Sequence, residues 1–146
     1  MTALVATFWS NVNLKRFWIT TVGMFAWIFA SDLVIHGWWL SAAYQETSNL
    51  WRSPEEMQSF MGWMWGGQFL ISVFFSFIFT KGYEGKGWAE GARYGLLMGL
   101  FSVSQLFINF AVTPLPSTIF WSWVWAGMVQ SVLGGMICSW IYKKNA

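Results

Sequence analysis

The stretch 17-FWITTVGMFAWIFASDLVIHGWWL-40 decides the fold, because it carries one acid, Asp32, one imidazole, His36, and no lysine or arginine. Written as an α-helix it exceeds the roughly 20 residues that cross a hydrocarbon core of about 30 Å. Three further apolar stretches of similar length follow at Ser59–Thr80, Ala92–Val112 and Thr118–Tyr142. A polar loop, Ser41–Gln58, separates the first two. A glycine- and lysine-bearing loop, Lys81–Gly91, follows the second, and the turn Thr113–Ser117 holds Pro114 and Pro116, which a helix interior excludes. The expected fold is an all-α membrane protein with a single domain over residues 1–146. Its four transmembrane helices would form a bundle of two tandem, parallel helical hairpins.

Composition points the same way. Of 146 residues, 56% are hydrophobic and only 10% charged, against about 25% charged in a soluble domain. The net charge of +2 is too small to suggest nucleic acid as a partner. Thirteen tryptophans suit the membrane interface, where one edge of the ring is wet and the other dry. A lone Cys138 forms no internal disulfide and lies in an apolar stretch, as an inert buried thiol would.

Basic residues near span ends stay cytoplasmic. Lys15 and Arg16, then Lys81, Lys86 and Arg93, then Lys143 and Lys144 fall on one side of a four-span chain, and Arg52 alone falls on the other. Both termini are therefore expected in the cytoplasm, with the bacterial inner membrane as the expected location. Residues 1–14 lack the layout of a signal peptide, since the basic pair follows them. Leu4, Val5, Phe8, Trp9 and Val12 recur at helical spacing, which suits an interfacial amphipathic helix on the inner leaflet, with a frayed tail as the alternative. Ser53-Pro54-Glu55-Glu56 reads as an N-cap, a first-turn proline and two acids facing the helix dipole.

The two halves read as diverged copies. Ser31-Asp32-Leu33-Val34-Ile35-His36 aligns with Ser104-Gln105-Leu106-Phe107-Ile108-Asn109, and Trp63-Met64-Trp65-Gly66-Gly67 with Trp123-Val124-Trp125-Ala126-Gly127. On that alignment Asp32 pairs with Gln105 and His36 with Asn109. Helix packing in lipid relies on small residues that let backbones approach. Gly91, Gly95 and Gly99 line one face of the third span; Gly127, Ser131, Gly135 and Ser139 line the fourth, and Gly62 and Gly66 open the second. These rows predict close contacts within the bundle or, on a sharper reading, a dimer face.

Asp32 and His36 lie four apart on one helix face, and an ionisable group inside a membrane is costly. Gln68, Gln105, Asn109 and Gln130 come to a similar level on the other spans, with Ser102, Ser72 and Ser76 on the same faces. A polar network or a cavity open to the outside is expected. Structural glue, a binding or ion pathway, and an axial ligand from His36 to a tetrapyrrole are its three readings. No nucleophile with an adjacent base, no phosphate loop and no metal-ligand spacing is present, so no enzyme is expected.

The duplicated hairpin, the His36-Gly37 pair, the Trp51-Arg52 loop with Glu55-Glu56-Met57 and the glycine-rich third span together resemble the small four-helix integral membrane proteins of bacteria. That resemblance implies the fold and no activity. The aromatic content, 21%, with Phe69, Phe74, Phe75, Phe77 and Phe79 crowding the second span, points to a non-catalytic subunit. It would pack against a larger membrane complex, a redox or light-harvesting one for example, with lipid, quinone or pigment contacts. The alternative is a small dimeric transporter or channel with its site around Asp32 and His36.

Overall fold

The computed structural model describes residues 9–143. Leu4, Val5 and Phe8 of the expected interfacial helix, and Lys144, lie outside the described residues. Helix α1, Leu14–Asp32, opens on Asn13, whose side chain accepts the Arg16 amide. It passes directly into a π-helical stretch, Leu33–Trp39, so that one span runs over Leu14–Trp39. A short helix α2, Ser41–Glu46, and a 3-10 turn, Ser48–Leu50, cross to α3, Pro54–Lys81. The Ser53–Glu56 capping box and the proline start α3 where the local sequence predicts. Helices α4, Trp88–Val112, and α5, Ser117–Ile141, complete the chain. All four long helices have the length and apolarity to cross a membrane, and each begins within a turn or so of its expected start.

Helices α4 and α5 pack closest, because their small-residue rows face each other. A Cβ added at Gly95 would strike the Ser131 carbonyl, and one at Gly135 the Gly91 carbonyl. Gly99 lies against Met128 and Ser131, and Gly127 faces Val103. The rows therefore serve packing within the chain, and they are not free to form a dimer face. Helix α1 packs on both α5 and α3, giving the order α4–α5–α1–α3.

Among the described residues, the basic ones other than Arg52 cluster at one end of the bundle, called here the basic end; the loop 40–53 and the turn 113–116 define the far end. At the basic end the ring of helices closes. Tyr94 of α4 donates to the Phe75 carbonyl at 2.5 Å and stacks edge-on against Phe75 and Phe79 of α3. Phe17, Met24, Phe77, Cys138 and Tyr142 fill the core there. The ends of α1 and α5 meet where Asn13 donates to the Tyr142 hydroxyl and to the Lys143 carbonyl. Trp9 packs on Phe17 and Phe77. Phe75, Phe77 and Phe79 are thus core residues, whereas Phe69 and Phe74 face outward, so the second-span phenylalanines do not form the single docking face that their crowding suggested.

At the far end the ring opens. No residue of α3 from Pro54 to Gly67 is buried, and a Cβ added at Gly62 or Gly66 would meet nothing. The two halves also pack unequally. Backbone-close contact through glycine joins α4 to α5, while α1 and α3 have no such glycine contact with each other. The buried face of α1 is Phe17, Thr20, Thr21, Met24 and Ile28, and that of α3 mixes Ser72 and Ser76 with Phe75 and Phe79, so neither presents a glycine row to the other.

Candidate functional site

The site forms where α1 changes its winding. Asp32 ends the α-helical part and His36 lies in the middle of the π stretch. A π-bulge widens the helix and re-aims side chains, and such bulges recur at functional sites. The Asp32 carboxylate joins three helices. Oδ2 accepts Gln68 Nε2 of α3 at 2.7 Å, and Oδ1 accepts Gln130 Nε2 of α5 at 2.8 Å. The Gln130 amide also reaches Ser31 Oγ at 2.7 Å, and its backbone carbonyl accepts Trp27 Nε1 at 3.0 Å. Gln68 is buried, and its Oε1 has no hydrogen-bond partner.

Towards the far end the network turns aromatic. His36 Nε2 is 4.0 Å from Asp32 Oδ1, and His36 Nδ1 is 2.6 Å from the Tyr44 hydroxyl. Trp123 Nε1 meets the same hydroxyl at 2.7 Å. Indole can only donate, so the Tyr44 oxygen accepts from Trp123. The pairing that satisfies all three groups sends the Tyr44 proton to His36 Nδ1 and leaves the imidazole proton on Nε2, the nitrogen nearest Asp32. Trp51 completes the cluster against Tyr44 and Trp123. Burial pushes the Tyr44 phenol above its ordinary range; the Trp123 hydrogen bond opposes this rise and the Asp32 charge adds to it.

A cavity of about 300 Å³ opens against this network, lined by Asp32, His36, Gln130, Trp123, Ile35 and Leu106 among others. A second hollow of about 370 Å³ lies against Trp27, Trp39 and Trp125. Ile35, Ala126 and Gln130 border both, so the polar cavity and the tryptophan-lined hollow adjoin.

Of the residues singled out from sequence, the structure brings together Asp32, His36, Gln68 and Gln130. It does not bring Gln105 or Asn109 to them. Both are exposed on α4, as is Ser102, because the glycine row of α4 takes the face toward α5 and turns the polar row away. Leu106 is the α4 residue that reaches the cavity. Tyr44 and Trp123 were not among the expected site residues. Trp123 read as belt, and Tyr44 lay in a loop whose return over His36 no spacing announces.

The lysine- and glycine-bearing loop is not an anion cradle. The buried Glu90 carboxylate already accepts the Glu84 and Lys86 amides at 2.6 Å each. Outside it, Glu84 pairs with Lys86 and Arg93, and these two hydrogen bonds hold its carboxyl below the usual range. Among the described residues no group of three or more His, Cys, Asp or Glu is placed to hold a metal ion.

Four membrane-length helices around an intramembrane carboxylate define a multi-pass membrane protein with a polar site in its bundle. Comparison with family models, with curated proteins and with solved structures finds no match for the chain.

Proposed function

We propose that the protein is a small, non-enzymatic membrane transporter or channel whose ligand site is the cavity at Asp32. One observation carries this reading. A carboxylate inside a span is held in place by two neutral amide donors, with no lysine or arginine among the described residues bonded to it, and it faces a cavity of about 300 Å³. Polar groups needed only as glue would be expected to close on one another and leave no space. Intramembrane acids mark ligand and ion pathways by default. The basic residues at one end put that end in the cytoplasm by the positive-inside rule. On that orientation, in a bacterial inner membrane, the basic end is sealed and the site opens toward the exoplasmic face.

A homodimer fits the exposed polar row of α4. Ser102, Gln105 and Asn109 share one face, and amides there both donate and accept, so a second copy supplies each with a partner in lipid. Asp32→Asn keeps the shape of the site and removes its charge. Flux of the ligand in proteoliposomes should fall at least tenfold in this variant; unchanged flux would remove Asp32 from any transport role.

A second reading keeps the protein as a non-catalytic subunit docked on a larger membrane complex. It draws on the unpartnered half of α3, where Trp63 is 80% exposed. Native purification with mass spectrometry separates the two, since a subunit appears in fixed ratio to other chains. Tetrapyrrole ligation by His36 has little room. Nδ1 is taken by Tyr44 and Nε2 lies 4.0 Å from Asp32, so a macrocycle would displace one of them.

A further inference from the structure

We infer that the ligand of the Asp32 cavity is a small organic ammonium ion, seated between the Asp32 carboxylate and the aromatic groups of Trp123 and His36. The inference rests on the cavity being a ligand site and adds the chemical class of what it takes. Both Asp32 oxygens accept hydrogen bonds, yet their donors are neutral amides that supply no counter-charge. The ion pairs among the described residues are two on Glu84 in the loop and the 4.0 Å approach of His36 to Asp32. Arg52, the one basic residue at the far end, lies over the Phe60 ring instead. In the pairing described above His36 accepts the Tyr44 proton and is neutral, so a cationic ligand would supply the positive charge that completes the site.

The walls say which kind of cation. A divalent metal needs several hard oxygen donors, and among the described residues no group of three or more His, Cys, Asp or Glu is placed to supply them. Ile35 and Leu106 instead offer apolar contact, and Trp123 and His36 offer aromatic rings. Alkylated ammonium groups are recognised by this combination of aromatic rings and one carboxylate.

The test is calorimetric titration of the full chain in lipid nanodiscs with choline, with tetramethylammonium, and with 3,3-dimethylbutan-1-ol, the uncharged carbon analogue of choline. The cations should bind and the neutral analogue should not. Asp32→Asn should weaken cation binding about tenfold or more, and Trp123→Leu several-fold, while Trp123→Phe keeps a ring and restores part of the loss. Circular dichroism and gel filtration show whether each variant is folded; Trp123→Phe, with its near-native shape, keeps the test open if Trp123→Leu is not. Binding of the neutral analogue as tight as choline would overturn the inference, as would cation binding indifferent to Asp32→Asn. Failure of all ammonium probes, alongside Asp32-dependent flux of a sugar or an anion, would overturn the ammonium assignment and leave the transport reading standing. No binding together with Asp32-independent flux would remove both.

Discussion

Asp32 accepts hydrogen bonds from α3 and α5 while belonging to α1, so its replacement tests structure and function separately. Asp32→Leu strips two amides of their acceptor. Each unpaired buried donor costs about 1–3 kcal/mol, moderated in membranes, where such bonds average about 0.6 kcal/mol. A clear loss of thermal stability in detergent is expected for Asp32→Leu and a smaller one for Asp32→Asn, whose single carbonyl oxygen keeps one of the two acceptors. Equal melting of the two would mean that the amide pairing contributes nothing. Tyr44→Phe removes the hydroxyl that links Trp123 to His36; about 1 kcal/mol of stability should go with it, read by the same melt. Asp32, His36, Gln68 and Gln130 were legible in the sequence because costly residues in an apolar run have few explanations. Tyr44 was not legible, since hydroxyl-bearing residues in a loop are ordinary. Its role depends on the π stretch that turns His36 toward it, and no local propensity announces that stretch.

The element that constrains the bundle most is the α4–α5 pair. Gly95→Leu or Gly135→Leu drives a side chain into a facing carbonyl, and overpacking of this kind costs about 1–3 kcal/mol or more. Both should lower the melting temperature markedly, whereas Gly62→Leu on the open part of α3, with nothing near it, should leave it unchanged. Matching effects at all three sites would contradict the packing described. The four-residue spacing of the small residues made these rows legible; their partner was not, because spacing fixes a face without saying what covers it. The same limit explains Gln105 and Asn109, which were grouped with Asp32 by depth and are exposed on α4 instead. At the loop, Glu84 has a lowered folded-state value, so its contribution is present above the ordinary glutamate value of about 4.3 and is lost as pH falls through the lower folded one. Amide exchange in the segment 82–87 should therefore accelerate, relative to the intrinsic rate, only in that acid window; acceleration near neutral pH would point to another group.

Taken whole, the molecule is closed at the basic end and open at the other. The closed end holds the phenylalanine core, and the open end holds the carboxylate and the unpartnered half of α3. Span number and approximate limits were legible from apolar length alone, since lipid leaves so few alternatives. The order of helices around the bundle was not, because apolar faces in lipid carry little information about neighbours. The central claim is that Asp32 lies beside a water-accessible cavity reached from the exoplasmic face. Gly127 lines that cavity, and a Cβ there meets only Val103 at an ordinary 3.5 Å; the native Cys138 is fully buried and stays silent. Gly127→Cys should be modified by a membrane-impermeant thiol reagent added outside intact cells, while Ile108→Cys, exposed on α4, should stay unmodified in lipid. Protection of Gly127→Cys from outside, or its modification only from the cytoplasmic side, would contradict the account.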